Sequence, residues 1–371
     1  MSEIIVVSYG KDIVKSAYDS LAASDIGSYL RIGSNVSIKP NLVVPCPAWD
    51  GATTHPEVVE GLILFLKDFG IDRIRIIEGS WVGDSTKEAF RNCGYEALSK
   101  RYGIPLIDLK SDKCTVLKHG GFKVEVCNEA LGTDFLINVP VLKAHCQTRF
   151  TCCMKNLKGC IPDSEKRRFH SLGLHKPIAV LNALIKTGYC VVDGICGDLS
   201  FEEGGNPVVA DRIIVGHNPL LVDSFCAELI GYKPDEIEHL LYGREIGIGE
   251  YFSSGTDAKD PSLLVELNPQ SKPLHDAKGE HKTDRSEGSV GSFIYKKLIE
   301  EDAACSACYS SLIYALHRNG GRVRSNNKIH IGQGFKGISG EGIGIGNCTK
   351  GFAQCVAGCP PKATDIIESL R

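Results

Sequence analysis

The chain has 371 residues, 43% of them hydrophobic and 23% charged, with a formal net charge of −3. That length accommodates about two domains of the usual ~100–200 residues, and the composition is that of an ordinary globular protein. With no broad basic field, neither nucleic acid nor a membrane surface is the expected partner.

The first stretch, "MSEIIVVSYGKD", lacks the basic region and apolar core of a secretion signal, so the expected compartment is the cytoplasm. Within it "EIIVVSY" (3–9) is β-branched and continuously apolar, as strands buried on both faces are. "NVSIKPNLV" (35–43) reads the same way and ends on Lys39 and Asn41. "ATTHPEVVEG" (52–61) then places Thr53, Thr54 and His55 where a helix over 55–70 begins. Such a start suits an anion, although simple capping before a helix-first Pro56 is an equal reading. The apolar run of this helix breaks at Lys67 and Asp68, far short of the roughly 20 residues a bilayer crossing needs.

Further strands are expected at 73–79, 105–109, 134–142, 189–195 and 211–216, and helices at 86–103, 176–188 and 218–231. Each helical stretch ends at a glycine, a common terminator. Alternating β and α units predict an α/β domain over 1–251 with a largely parallel sheet and helices on both faces. Ligands in such sheets bind beyond the carboxyl ends of strands. Glu78 and Asp193 stand at two of those ends, either as proton or metal carriers or as ordinary turn residues. No G-x-G-x-x-G, P-loop or G-x-S-x-G motif follows a strand in the right place.

Residues 139–177, "VPVLKAHCQTRFTCCMKNLKGCIPDSEKRRFHSLGLHKP", follow the strand at 134–142. His145, Lys155 and His170 are the candidate catalytic residues, since imidazole moves protons near neutral pH and a lysine supplies a point charge. Arg149 offers a forked contact to a carboxylate or phosphate. With Lys39, Asn41, Thr54 and His55 it makes a candidate binding set for a small anionic molecule. "EKRR" (165–168) reads equally well as a solvated turn. The adjacent Cys152 and Cys153 are read as packing thiols.

From 252 to 300 the pattern dissolves into Ser, Gly, Pro, Lys and Asp, as in a polar connector. The remainder, 301–371, is expected to hold a helix at 305–318, a strand near 328–332, a Gly-rich loop and a last helix at "DIIESL". Here lie Cys305, Cys308, Cys348, Cys355 and Cys359, part of a total of sixteen cysteines. A chain with room for a large core and no export signal has little call for disulfides. An iron–sulfur cluster takes about four thiolates, and "CVAGCP" has the C-x₃-C-P spacing of bacterial ferredoxins. Structural zinc and thiols without metal are the competing readings. The spacing favours a cluster over those readings, with five candidates for its ligands; a single 4Fe-4S cluster is the expected cofactor.

Taken together, "SIKPNLV", "ATTHPEVVEGLI", "INVPVLKAHCQTRFTCCMKNLKGCIP", "VVDGI" and the cysteine-rich tail resemble the DUF362 family of iron–sulfur cluster proteins. The resemblance runs over roughly 35–235 and implies an α/β domain with a bound cluster. Many members carry two full four-cysteine motifs; this tail departs from that pattern. A fainter likeness is to the nickel-pincer lactate racemase family, in which a helix-start His, a second His, a Lys ten positions on and a further His surround the cofactor and substrate. His55, His145, Lys155 and His170 fall in a similar order, but Cys-Cys-Met-Lys stands where that family has Gly-Gly-x-Lys.

The expected function is an iron–sulfur oxidoreductase exchanging electrons with a small anionic substrate or a second cofactor in the α/β domain, with a redox partner protein in attendance. A racemase-like enzyme acting on a 2-hydroxy acid and a ferredoxin-like electron carrier are the alternatives.

Overall fold

The computed structural model describes residues 3–145, 147–199, 202, 204–205, 207–253, 262–269, 295, 297–302, 304, 306–323 and 328–371. They divide into two units. The first runs to Ala144, resumes over Phe150–Lys166 and continues from His175 through the strand at 263–267. The second takes His145–Arg149, Arg167–Leu174 and the C-terminal residues from 295 onward.

From the N-terminus come β1 (Ile4–Tyr9), α1 (Ile13–Ala22), β2 (Val36–Pro40), α2 (Pro56–Asp68) and β3 (Ile74–Glu78). Next are α3 (Thr86–Asn92), α4 (Tyr95–Tyr102), β4 (Leu106–Asp108), β5 (Cys114–His119), β6 (Phe122–Cys127), α5 (Asn128–Leu131) and β7 (Phe135–Val139). The middle of the chain supplies β8 (Lys143–His145), β9 (Arg149–Thr151), α6 (Cys153–Asn156), α7 (Asp163–Ser171) and α8 (His175–Leu184). Then follow β10 (Tyr189–Asp198), β11 (Pro207–Gly216), α9 (Pro219–Leu229), α10 (Glu238–Glu245) and β12 (Leu263–Leu267).

Eight of these strands form one sheet in the order β12-β1-β11-β10-β7-β2-β3-β4. The strands expected at 3–9, 35–43, 73–79, 105–109, 134–142, 189–195 and 211–216 are all in it. The sheet is mixed rather than simply parallel, because β11 runs antiparallel to both β10 and β1. β11 follows β10 directly, and a direct return can only be antiparallel; parallel neighbours need a crossover. β12 lies within the polar 252–300 stretch and pairs parallel to β1 at the sheet edge. The single helix expected over 86–103 is two, α3 and α4, divided at Gly94, whose φ of 84° belongs to the left-handed region that favours glycine. The hairpin β5–β6 and the short ribbon β8–β9 add two small sheets.

Strand alternation gives the large sheet two different faces. Ile38, Ile76, Ile137, Val191 and Ile213 pack with Ala17 and Leu21 of α1 and Val58, Leu62 and Leu66 of α2 in one buried apolar cluster. The intervening side chains of β2, β7 and β10 include Lys39, Asn138 and Cys190, which are buried too and meet α6. α1 and α2 approach closely at Gly61, where an added Cβ would lie 2.4 Å from the Val14 carbonyl oxygen and 2.8 Å from Ala17 Cβ. Gly61→Ala gains up to about 1 kcal/mol of helix propensity but must wedge the helices apart, at a cost of about 1–3 kcal/mol. The expected result is a lower urea midpoint with an unchanged slope; an equal or higher midpoint would mean that the helices separate freely.

In the second unit, β13 (Ile299–Glu301), α11 (Ser306–Arg318), β14 (Ile329–Ile331), β15 (Ser339–Ile345), β16 (Gly351–Val356) and α12 (Ala363–Leu370) follow in order. The strands form a four-stranded parallel sheet, β13-β14-β15-β16. Its core is Ile329, Ile331, Ile343, Ile345, Leu312, Leu316, Ile366 and Leu370. The stretch read as a Gly-rich loop is strand β15. Its isoleucines alternate inward with glycines, and a Cβ on Gly344 would stand 2.6 Å from the Thr349 carbonyl oxygen. Among the described residues no helix is long and apolar enough to cross a membrane.

Candidate functional site

The carboxyl ends of β2, β3 and β7 carry a buried polar network. Lys39 Nζ lies 2.8 Å from Glu78 Oε2, and both side chains are at most 3% exposed. The same ammonium donates to the Pro40 carbonyl at 3.0 Å and to Asn156 Oδ1 at 3.3 Å. Asn156 Nδ2 donates to Asn138 Oδ1, and Asn138 Nδ2 to the Cys153 carbonyl. Lys166, one residue of "EKRR", is buried rather than solvated; it donates to the carbonyls of Gly79 and Ser80 and pairs with Asp163. Burial pulls its pKa down, against the pull of Asp163.

Asn41 and Thr54 clasp each other. The Asn41 amide donates to Thr54 Oγ1, which in turn donates to the Val139 carbonyl, and the Thr54 amide donates to the Asn41 carbonyl. The next residue, His55, caps α2 and is fully buried. Its backbone N–H donates to Asp193 Oδ2 at 2.7 Å, and its Nδ1 lies 2.8 Å from the same oxygen. Asp193 Oδ1 accepts from the Ile195 amide. Burial alone would lower the pKa of His55, but the charge and hydrogen bond of Asp193 outweigh it and raise the value. With Nδ1 committed to the carboxylate, Nε2 is buried and has no hydrogen-bond partner among the described residues. The edge of Trp49, which is 52% exposed, packs against the ring.

Lys155 is also buried, bonded to Glu202 Oε1 at 2.6 Å and to Thr151 Oγ1 at 2.9 Å. Lys143 donates to the carbonyls of Ala52 and Glu202. No hydrogen bond joins Lys39, His55 and Lys155 to one another among the described residues. These three candidates therefore lie in separate polar clusters of the first unit.

His145, at the end of β8, accepts the amides of Gln147 and Thr148 at Nδ1, which assigns its hydrogen to Nε2. Gln147 Nε2 donates to the Ala304 carbonyl in the same unit. Arg149 has a φ of 66°, and His170 is half-buried on α7.

Of the tail thiols, Cys305 lies outside the described residues. Cys308 is buried in the first turn of α11, Cys348 and Cys355 are half-buried, and Cys359 is exposed. Cys308 and Cys355 flank one turn: a Cβ on Gly346 would be 3.4 Å from Cys308 Sγ, and Cys355 Sγ lies 3.6 Å from the Gly346 carbonyl oxygen. No three described tail cysteines have sulfurs mutually within 4.8 Å.

The reading of Cys152 and Cys153 as mere packing thiols needs correction. Their sulfurs are 3.8 Å apart, and with an Asp223 oxygen they form a fully buried group whose ligand atoms all lie within 4.8 Å of one another. Both sulfurs reach Asp223 on α9, which neighbour order alone does not reveal. Asn138, Asn156, Glu202 and Asp223 are the polar participants that the sequence reading did not single out. A polar residue inside the apolar strand "FLINV" was a legible signal for Asn138; the others have none.

Residues 36–228, 193 of the chain's 371, match the family described as a domain of unknown function, DUF362. A thylakoid-associated protein of Synechocystis is 24% identical over 212 residues, which are 55% of this chain and 64% of that protein. The chain thus spans somewhat less than two thirds of that relative's length. Among solved structures, the lactate racemase apoprotein of Thermoanaerobacterium thermosaccharolyticum is similar over 61% of this chain and 57% of that one, at 14% identity and a TM-score of 0.42. A Thermotoga maritima protein is similar over 64% of this chain and 60% of its own, at 13% identity and a TM-score of 0.39.

Proposed function

The chain belongs to the DUF362 family, and we propose a function from its residues: an iron–sulfur oxidoreductase acting on a small anionic molecule. The observation that carries this reading is His55, held through Nδ1 by Asp193 with a buried and unpartnered Nε2. A neutral imidazole so oriented offers one lone pair, and the carboxylate behind it stabilises the imidazolium formed when a proton arrives. His55 thus accepts or returns at Nε2 the proton that accompanies reduction or oxidation of the ligand. An anionic ligand competes with Glu202 for Lys155, and Asn41 and Thr54 shape the strand-end loop beside it. His145, Arg149 and His170, in the second unit, remain proposed site residues by their chemistry alone.

In the second unit the thiol chemistry of the tail cysteines supports the reading of an iron–sulfur cluster. Cys308 and Cys355 flank the Gly346 turn, and Cys348 lies within the next 3-10 turn. Glycine lets the backbone come close to thiolate sulfur, where amide hydrogen bonds tune potential. Cys305 and Cys359 complete the set of five candidates for the ligands. When bound, a 4Fe-4S cluster supplies single-electron transfer.

Anaerobically purified protein is expected to contain about four irons and four sulfides per chain, with a broad visible absorbance that bleaches on reduction. Cys308→Ser combined with Cys355→Ser should remove the iron and that band while the far-ultraviolet circular dichroism keeps its shape. Wild-type protein that carries zinc without sulfide, or a double variant with unchanged iron and sulfide, would rule the proposal out.

A further inference from the structure

We propose that Cys152, Cys153, Asp223 and Cys226 form a closed zinc site inside the α/β unit, separate from the tail cysteines and independent of what they bind. Bonds of about 2.3 Å in a tetrahedron place neighbouring sulfurs about 3.8 Å apart. The Cys152 and Cys153 sulfurs are 3.8 Å apart. An Asp223 carboxylate oxygen completes a triangle whose sides are all within 4.8 Å. The fourth ligand comes from the same helix: Asp223 and Cys226 are three residues apart on α9, a spacing that puts two side chains on one face. The Cys226 sulfur is not among the ligand atoms that already lie mutually within 4.8 Å; it would turn in from that shared face of α9.

A second observation points to a cation at this place. Asp223 is 0% exposed, and among the described residues no Lys, Arg or His forms an ion pair with it. Among the described residues its oxygens accept the amides of Cys153, at 2.7 Å, and Met154, at 2.9 Å. Buried carboxylates are ordinarily paired with a cation or bound to a metal. The two amides orient the carboxylate from behind, as outer-shell donors orient metal ligands. Thiolates and a carboxylate with no open position match structural zinc rather than a catalytic centre. The ion would tie the entry of α6 to α9.

The test is metal analysis of the full-length protein with cobalt substitution. About one zinc per chain is expected, and Co²⁺ put in its place should give the intense visible d–d bands and near-ultraviolet thiolate charge transfer of a tetrahedral site. The tail variant Cys348→Ser with Cys355→Ser should keep both signals. Cys152→Ala with Cys153→Ala should lower zinc at least tenfold. If that variant does not fold, Asp223→Asn, which can still accept the two amides, should weaken zinc retention against a chelator at least tenfold. Folded wild type with less than a tenth of an equivalent of zinc after growth and purification with zinc present would overturn the proposal. So would cobalt bands lost in the tail variant instead of the Cys152/Cys153 variant.

Discussion

Lys39→Met is expected to destabilise the protein by about 3–5 kcal/mol, the usual consequence of removing one partner of a buried ion pair. The substitution keeps most of the side-chain volume, so packing contributes little and the loss is electrostatic. What remains is the Glu78 carboxylate, 2% exposed. Among the described residues its one other hydrogen bond is from the Gly79 amide at 2.7 Å. The surroundings have no slack, since a Cβ on Gly159 would fall 2.2 Å from Glu78 Oε1 and 2.6 Å from Lys39 Nζ. Asn156 Oδ1 and the Pro40 carbonyl each lose a donor as well. Lys39→Met with Glu78→Gln should recover part of the loss, because no buried charge is then left unpaired. Urea unfolding of the two variants measures both quantities. A single-variant loss below 1 kcal/mol would mean that Glu78 reaches water or a proton at little cost, against its burial here.

Asp193→Ala should cost about 3–4 kcal/mol, because three donors share this carboxylate and buried donors left unpaired cost about 1–3 kcal/mol each. Those donors are His55 N, His55 Nδ1 and Ile195 N. Asp193→Asn retains an oxygen for them and removes the charge, which separates geometry from electrostatics. Folding raises the pKa of His55 above its unfolded value, so the native state binds that proton more tightly. The resulting stabilisation is complete below the unfolded pKa of about 6.5 and is lost as pH rises through the higher folded pKa. The stability gap between wild type and Asp193→Asn should therefore be wider at acid than at alkaline pH. Urea midpoints over a pH series, with the His55 ring titrated by NMR, provide the measurement. A gap that does not change with pH would show that Asp193 acts on His55 by geometry alone.

The same two pairs mark how far a linear reading reaches. Glu78 and Asp193 were legible as strand-end carboxylates, and Lys39 and His55 as polar residues in the loops where parallel sheets bind ligands. Their pairing was not, since 39 positions separate Lys39 from Glu78 and 138 separate His55 from Asp193. Nor could spacing show that Lys155 is held by Glu202, or that Cys152 and Cys153 both reach Asp223. Chain order places His55, His145, Lys155 and His170 in one series. The fold divides that series, with His55 and Lys155 in the first unit and His145 and His170 in the second.

Residue order by itself determined the α/β alternation, the strands that fill the large sheet, and most of the helices with their glycine ends. Those depend on hydrophobic period and on backbone preferences that act within a few residues. Tertiary structure alone decided the antiparallel course of β11, the parallel sheet built from the glycine-rich tail, and which buried charges and thiols meet. These are long-range matters: a carboxylate 138 positions away in the chain sets the protonation of His55, and no local pattern encodes that pairing.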